Sequence, residues 1–208
     1  MAQYAFYFNA GDCTGCKTCQ VACKEYYHLP DANLKRRVIN YAGGSWDVSA
    51  TGHYVPRGVF SYFVSMACNH CANPACVENC PTGAMQKDLE TGIVWTDHDV
   101  CIGCGTCVSA CPYDAPQLNE DEGYSIKCDM CRDELTLDRK PVCEMACPMR
   151  ALDWGDRDEL VAKYGEGRIE TEPFPKNATA AATIVDPHPA AQKTGEGTGS
   201  IVTIDDEL

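Results

Sequence analysis

The sequence predicts an α+β fold in which short strands, hairpins and helical turns are strung between cysteine loops. Three observations lead there. Sixteen cysteines among 208 residues fall into four groups of nearly equal internal spacing, the mark of a repeated unit. The two middle groups, Cys68–Cys80 and Cys101–Cys111, are joined by two short apolar runs around Glu90-Thr91-Gly92, which read as a β-hairpin. From about Gly165 the composition turns to Pro, Ala and Gly, so residues 165–208 are expected to form an extended tail with little core, which either wraps the domain or a partner or is disordered.

The stretch that sets the chemistry is Cys101-Ile-Gly-Cys104-Gly-Thr-Cys107-Val-Ser-Ala-Cys111-Pro112. Three cysteines three residues apart, then a fourth with a proline behind it, form the bacterial ferredoxin run for a [4Fe–4S] cluster. Such a loop aims three thiolates at three corners of one cubane. Gly103, Gly105 and Thr106 leave room for backbone N–H groups to approach the inorganic sulfides. The loop cannot also turn back to the fourth corner. Cys111 is therefore carried by the following helix to a neighbouring cluster, and one such motif implies a second.

Taken in order, Tyr4-Ala-Phe-Tyr-Phe8 reads as a strand feeding Cys13-Thr-Gly-Cys16-Lys-Thr-Cys19-Gln-Val-Ala-Cys23. The spacing repeats that of the 101–111 run. Lys24 stands where the proline would be, but the proline shapes the turn and binds no iron. Residues 24–67 lack cysteine, and within them 31–57 are expected as an insertion. This region carries Lys35-Arg36-Arg37, a turn at Gly43-Gly44 and Trp46, and closes on an aromatic strand, Val59–Met66. Its aromatic side chains read as packing over the clusters, with a docking surface as the second reading.

The second group, Cys68-Asn-His-Cys71-Ala-Asn-Pro-Ala-Cys76-Val-Glu-Asn-Cys80-Pro81, has a longer middle gap stiffened by Pro74. His70 invites a Rieske-type reading, but such a site replaces two cysteines with two histidines, and no cysteine is missing here. After the hairpin and the 101–111 run, a strand at Tyr124–Lys127 leads to Cys128-Asp-Met-Cys131. Eleven residues then precede Cys143-Glu-Met-Ala-Cys147-Pro148, the same motif with a loop inserted before its third cysteine. Residues 151–154 read as strand and 156–164 as a short helix. Asn177-Ala-Thr179 matches a glycosylation pattern by chance.

Composition excludes several functions. There is no run of eighteen apolar residues, so no direct membrane span is expected. The N-terminal segment lacks the order of a secretory signal, which favours free or metal-bound thiols over disulfides. A formal charge of −13 disfavours nucleic acid as a partner. Four loaded cubanes would bring the total to about −21. Lys17, Lys24, Lys127, Arg132, Lys140 and Arg150, in or beside the cysteine runs, are expected to offset part of this, about half of them being plain surface charges.

Zinc prefers pairs of Cys-x-x-Cys knuckles closing one tetrahedron, whereas three cysteines within seven residues, twice over, suit a cubane better. Catalysis would need an open metal position or a nucleophile with its base. The histidines at 28, 53, 70, 98 and 188 form no local pattern with carboxylates. Outer-sphere electron transfer is what remains. A zinc-stabilised interaction module stands as the structural alternative.

Four groups in this order, with the long loop in the last, resemble the four-cluster electron-transfer subunits of molybdopterin oxidoreductases, most of all the B subunits of dimethyl sulfoxide reductases. The likeness rests on residues 13–19, Tyr41-Ala-Gly-Gly44 with Trp46, Cys68-Asn-His-Cys71, Cys80-Pro-Thr-Gly-Ala-Met85 and Asp99-Val-Cys-Ile-Gly-Cys104. It continues in Cys111-Pro-Tyr-Asp-Ala-Pro-Gln117, Lys140-Pro-Val-Cys143 and Arg150-Ala-Leu-Asp153, and covers about residues 4–165.

The resemblance implies two ferredoxin-like lobes, each holding two [4Fe–4S] clusters. The outer lobe would comprise residues 1–30 and 120–164, and the inner lobe 58–119. One outer cluster would sit on Cys13, Cys16, Cys19 and Cys147, and its neighbour on Cys128, Cys131, Cys143 and Cys23. The inner pair would sit on Cys68, Cys71, Cys76 and Cys111, and on Cys101, Cys104, Cys107 and Cys80. Spacing supports the inner pairing independently; the outer rests on the resemblance. Some relatives carry Trp and a three-iron cluster at the position of Cys104, so the cysteine here implies a full set.

The implied partners are a molybdopterin-containing catalytic subunit and an integral membrane anchor that oxidises menaquinol. Electrons would then reduce an S-oxide or N-oxide. An equivalent subunit of a formate dehydrogenase, a polysulfide reductase or a soluble molybdenum or tungsten enzyme is the alternative. The protein would meet the membrane through its partners or be soluble in a complex, with the side of the membrane left open.

Overall fold

The computed structural model describes residues 2–202. Tyr4–Asn9 form β1, whose apolar residues run almost unbroken because both of its faces are covered. Phe6 and Phe8 turn to the main core while Ala5 and Tyr7 face a second cluster, as a period of two requires. Helix α1 (Thr18–Tyr26) follows the first cysteine loop and buries Cys19 and Cys23. Strands β2 (Arg37–Val48) and β3 (Tyr54–Met66) then make one long antiparallel ribbon, with Arg37 opposite Met66 and Val48 opposite Tyr54.

Gly43-Gly44, expected as a turn, lies inside β2. The register shifts there by a bulge between Gly43 and Ser45, and the chain reverses at residues 49–53 instead. Gly44 has a φ of 97°, and a Cβ on it would run into the backbone of Gly58 and Val59 across the ribbon. The pair therefore kinks the strand without ending it. The aromatic strand accordingly begins at Tyr54 rather than Val59. At its base Phe63 lies against Gly15 of the first cysteine loop, and Tyr62 donates to the Glu172 carbonyl at 2.7 Å. Beyond the bulge the ribbon stands exposed, Trp46 and Tyr54 included.

The second cysteine group enters α2 (Ala75–Glu78), and β4 (Met85–Lys87) with β5 (Val94–Thr96) form the expected hairpin. Helix α3 (Thr106–Ala110) carries the chain from Cys107 to Cys111 and packs on α2. Strands β6 (Gln117–Asn119) and β7 (Tyr124–Ile126) make a further hairpin, and the expected lobe boundary at 119/120 falls inside it. Helix α4 (Arg132–Thr136) fills part of the long loop, and α5 (Val142–Met145) holds Cys143 and packs on α1. Strand β8 (Leu152–Asp156) returns antiparallel to β1, placing Phe6 opposite Trp154. Helix α6 (Arg157–Tyr164) is capped by the Asp156 carboxylate, which accepts from the Asp158 N–H at 2.9 Å. The β1–β8 and α1–α5 pairings bring the first and fourth cysteine groups side by side.

The tail is extended, but the expectation that it has little core is corrected. Ile169, Phe174, Ala181, Ala182, Ile184 and Val185 are buried. Strand β9 (Ile184–Asp186) joins β1 in parallel to complete the order β8-β1-β9, and β10 (Gly199–Ile201) adds to β2. β1 is apolar on both faces and has an edge that β8 does not cover, and the tail supplies the missing cover. Each fully buried Ile or Phe contributes about 1.5–3 kcal/mol. Residues 203–208 of the expected tail lie outside the described residues. Among the described residues no helix is long and apolar enough to cross a membrane.

Candidate metal centres

Each cysteine group opens with Cys-x-x-Cys, and the third residue of every opening is left-handed: Gly15 (φ 69°), His70 (43°), Gly103 (64°) and Met130 (61°). This conformation folds the loop back on its first cysteine. The His70 and Met130 N–H groups each lie 3.4 Å from the sulfurs of Cys68 and Cys128, respectively. The Gly15 N–H bonds Cys13 in the same way. A Cβ at Gly15 would strike the Phe63 ring, and one at Gly103 the Gly123 carbonyl, so glycine is required at both.

His70 and Met130 bury their side chains instead. His70 Nδ1 accepts from the Val94 N–H at 3.0 Å, so that nitrogen is engaged with the hairpin, in keeping with a non-ligand role. Burial, then the charges of Lys127, Lys87 and Arg36, hold its pKa well below the usual imidazole value.

The cysteines gather around cavities. One is lined by Cys68, Cys71, Cys76 and Cys111. A second is lined by Cys13, Cys16, Cys19 and Cys147. A third is lined by Cys80, Cys101, Cys104 and Cys107. The remaining residues crowd one another. Besides burial, Cys143 and Cys131 push up the Cys23 thiol, and Cys23 and Cys143 push up that of Cys128. Twelve of the sixteen cysteines singled out from sequence thus line three cavities, Cys23, Cys128, Cys131 and Cys143 act on one another electrostatically, and none of the sixteen is in a disulfide. Each of these sets contains one cysteine from a different group, because α1 carries Cys23, and α3 carries Cys111, away from its own loop. Among the described residues no group of three or more His, Cys, Asp or Glu closes on one point as the ligands of a single metal ion would.

Burial pushes the thiols of Cys13, Cys71 and Cys131 up to about 11, and those of Cys23 and Cys76 to about 12. Metal binding there must release protons. Hydroxyls accompany many of the sulfurs. Ser65 Oγ lies 3.5 Å from Cys19, Ser125 Oγ 3.2 Å from Cys107, and Thr179 donates to Cys71 at 3.1 Å. Cys16 and Cys104 are exposed. Hydrogen bonds from Thr18 and Thr106, at 3.3 Å, hold these two thiols below the usual value.

Three cations are buried among the cysteines: Lys35, Arg36 and Lys127. Lys127, expected from its place beside Cys128, donates to the carbonyls of Val94 and Cys128 and lines the Cys68 cavity. Lys140 and Arg150, also expected, stand exposed. Sequence reasoning missed Lys35 and Arg36 as partners of the cysteines because they lie far from any cysteine run. The available signal was a triplet of cations opening a buried strand in a strongly acidic protein. Lys35 reaches Asp129 at 3.5 Å, and Arg36 donates to Ser65 Oγ at 3.0 Å. Thr179 was missed too. Its Asn177-Ala-Thr179 tripeptide serves the cavity wall, where Asn177 Oδ1 accepts from the Tyr113 hydroxyl at 3.1 Å.

A family model described as a 4Fe-4S dicluster domain matches residues 59–157, and one described as a 4Fe-4S binding domain matches residues 10–27. The B subunit of the anaerobic dimethyl sulfoxide reductase of Haemophilus influenzae is 44% identical over 96% of this sequence and 96% of its own length. The protein of the same name from Escherichia coli K12 is 45% identical, with 95% of each sequence covered. The protein belongs to this family of iron–sulfur subunits. The thiosulfate reductase electron transfer subunit PhsB of Salmonella typhi is a more distant relative, 37% identical over 81% of this sequence and 83% of its own. Members of the family are electron-transfer subunits rather than catalytic ones, and this protein is one of them.

Proposed function

We propose that this subunit relays electrons through four [4Fe–4S] clusters, between a quinol-oxidising membrane anchor and a molybdopterin catalytic subunit of a dimethyl sulfoxide reductase-type enzyme. The observation that carries the reading is that twelve of the sixteen cysteines line three cavities, four to each, while the other four act electrostatically on one another. In this reading Cys13, Cys16, Cys19 and Cys147 hold one cluster, and Cys23, Cys128, Cys131 and Cys143 the next. Cys68, Cys71, Cys76 and Cys111 hold a third, and Cys80, Cys101, Cys104 and Cys107 the fourth. What a bound [4Fe–4S] cluster supplies is one-electron transfer.

The protein's own residues do the rest. Left-handed loops place the thiolates, hydroxyls hydrogen-bond them, and buried cations offset their charge. The sets divide into two ferredoxin-like lobes, with residues 31–57 as the insertion and the tail from 165 onward tying in β1. The lobe boundary we favour lies after Ile126, because Ser125 bonds to both Cys101 and Cys107. Cys16 and Cys104 reach the surface from different lobes and give electrons an entrance and an exit. The subunit itself crosses no membrane in this reading and meets one through the anchor.

Metal analysis of the complex, purified anaerobically from its native cells, tests the reading. Roughly sixteen iron per subunit is expected, and roughly twenty per molybdenum if the catalytic subunit adds one cluster of its own. Full iron without molybdenum or tungsten would overturn the proposed partner while sparing the relay. About four zinc per subunit without iron would overturn both.

A further inference from the structure

Arg36 is 3% exposed, and its guanidinium interacts electrostatically with Cys143, Cys19, Cys128 and Cys23, cysteines of two sets. It also shares a small cavity with Cys68 of a third set. Nη1 donates to Ser65 Oγ at 3.0 Å, and that hydroxyl lies 3.5 Å from the Cys19 sulfur. The cation stands over the Phe6 ring, 4.5 Å from its centre.

No carboxylate pairs with this guanidinium among the described residues, and its Nε and Nη2 find no acceptor there. Lys35 differs, because it has Asp129. A buried charge costs several kcal/mol unless it is compensated. Around Arg36 the available negative charge is that of the cysteine sulfurs. Burial opposes the positive charge, but Cys143, Cys19, Cys128 and Cys23 outweigh it and raise the pKa above the ordinary arginine value.

We propose that Arg36 sets the reduction potentials of the two outer-lobe clusters, holding both higher than their cysteines alone would. The proposal rests on the four-cluster reading above. An electron that enters one of these clusters leaves the other, so one cluster is reduced as its neighbour is oxidised. Both sites face the same guanidinium, which stabilises the added negative charge on either side. Arginine suits the place. It keeps its charge at any working pH, so no proton has to follow the electron. A buried histidine would shed its proton far more readily.

The test is a potentiometric EPR titration of the whole complex, unaltered and with Arg36→Gln or Arg36→Lys, with iron per subunit measured first. Arg36→Gln is expected to lower the reduced-to-oxidised ratio of both outer-lobe clusters at least tenfold at fixed potential, about 59 mV for a one-electron couple. The cluster on Cys80, Cys101, Cys104 and Cys107 should keep its midpoint, and Arg36→Lys should restore the other two. Full iron with unshifted outer-lobe midpoints in Arg36→Gln overturns the proposal. If the Gln variant loads less iron, Arg36→Lys decides. Full iron and unshifted midpoints in Lys support a role for charge, and a tenfold drop or lost iron overturns it. An unaltered complex without iron would sink the four-cluster reading rather than the role of Arg36.

Discussion

Thr179 lies 108 residues beyond Cys71, yet its hydroxyl donates to the Cys71 sulfur at 3.1 Å. The tail thus reaches into the wall of a cysteine cavity. A hydrogen bond to a charged acceptor contributes about 1.5–3 kcal/mol and strengthens as the acceptor gains charge. Thr179→Val keeps the shape and removes the donor. The midpoint of the cluster on Cys68, Cys71, Cys76 and Cys111 should fall by on the order of tens of millivolts, with iron content unchanged. An EPR titration that found the shift in a different cluster would dissociate Thr179 from this set.

Cys111 follows Cys107 by one short helix but lines the cavity of Cys68, Cys71 and Cys76. Cys111→Ser should therefore damage the cluster of that set and leave the one on Cys101, Cys104 and Cys107 intact. EPR of the variant distinguishes the two. Loss confined to the 101–107 cluster would mean that Cys111 serves its own loop.

What the sequence made legible was local. The four cysteine groups, the hairpin around Glu90-Thr91-Gly92 and helix α6 each follow from spacing or capping within a span of at most twenty residues. Gly43-Gly44 misled because a bulge and a turn ask for the same freedom of backbone, and only the partner strand decides between them. Arg36, Thr179 and β9 had no local signature. Their roles come from contacts that close over long stretches of sequence, between a cation and four cysteines, a hydroxyl and a sulfur, and two strand edges.

Gly103 and Gly83 both have positive φ, at 64° and 71°, but they differ in surroundings. A Cβ at Gly103 would meet the Gly123 carbonyl, whereas one at Gly83 has open space. Gly83→Ala should cost only the left-handed strain, about 1–2 kcal/mol, and keep full iron. Gly103→Ala has to move the loop that presents Cys101 and Cys104, and should lose iron from that set. Equal iron content in the two variants would show that the loop tolerates the displacement.

Ile184 is 1% exposed and sits opposite Tyr7, in a cluster with Ala5, Leu160 and Ala182. If the tail is part of the core, Ile184→Ala should cost about 2–5 kcal/mol, as large-to-small changes at buried sites do. Val202, in the same tail but 57% exposed, is the control, and Val202→Ala should stay within about 0.5 kcal/mol. Anaerobic denaturant unfolding of the two variants measures the difference. The order of elements adds a second readout, because β1 feeds directly into the Cys13 loop. Loosening β9 frees one edge of β1, so on warming the Ile184→Ala variant should lose the cluster on Cys13, Cys16, Cys19 and Cys147 before the others. A variant no less stable than Val202→Ala, losing its clusters in the unaltered order, would reduce the tail to a surface strap.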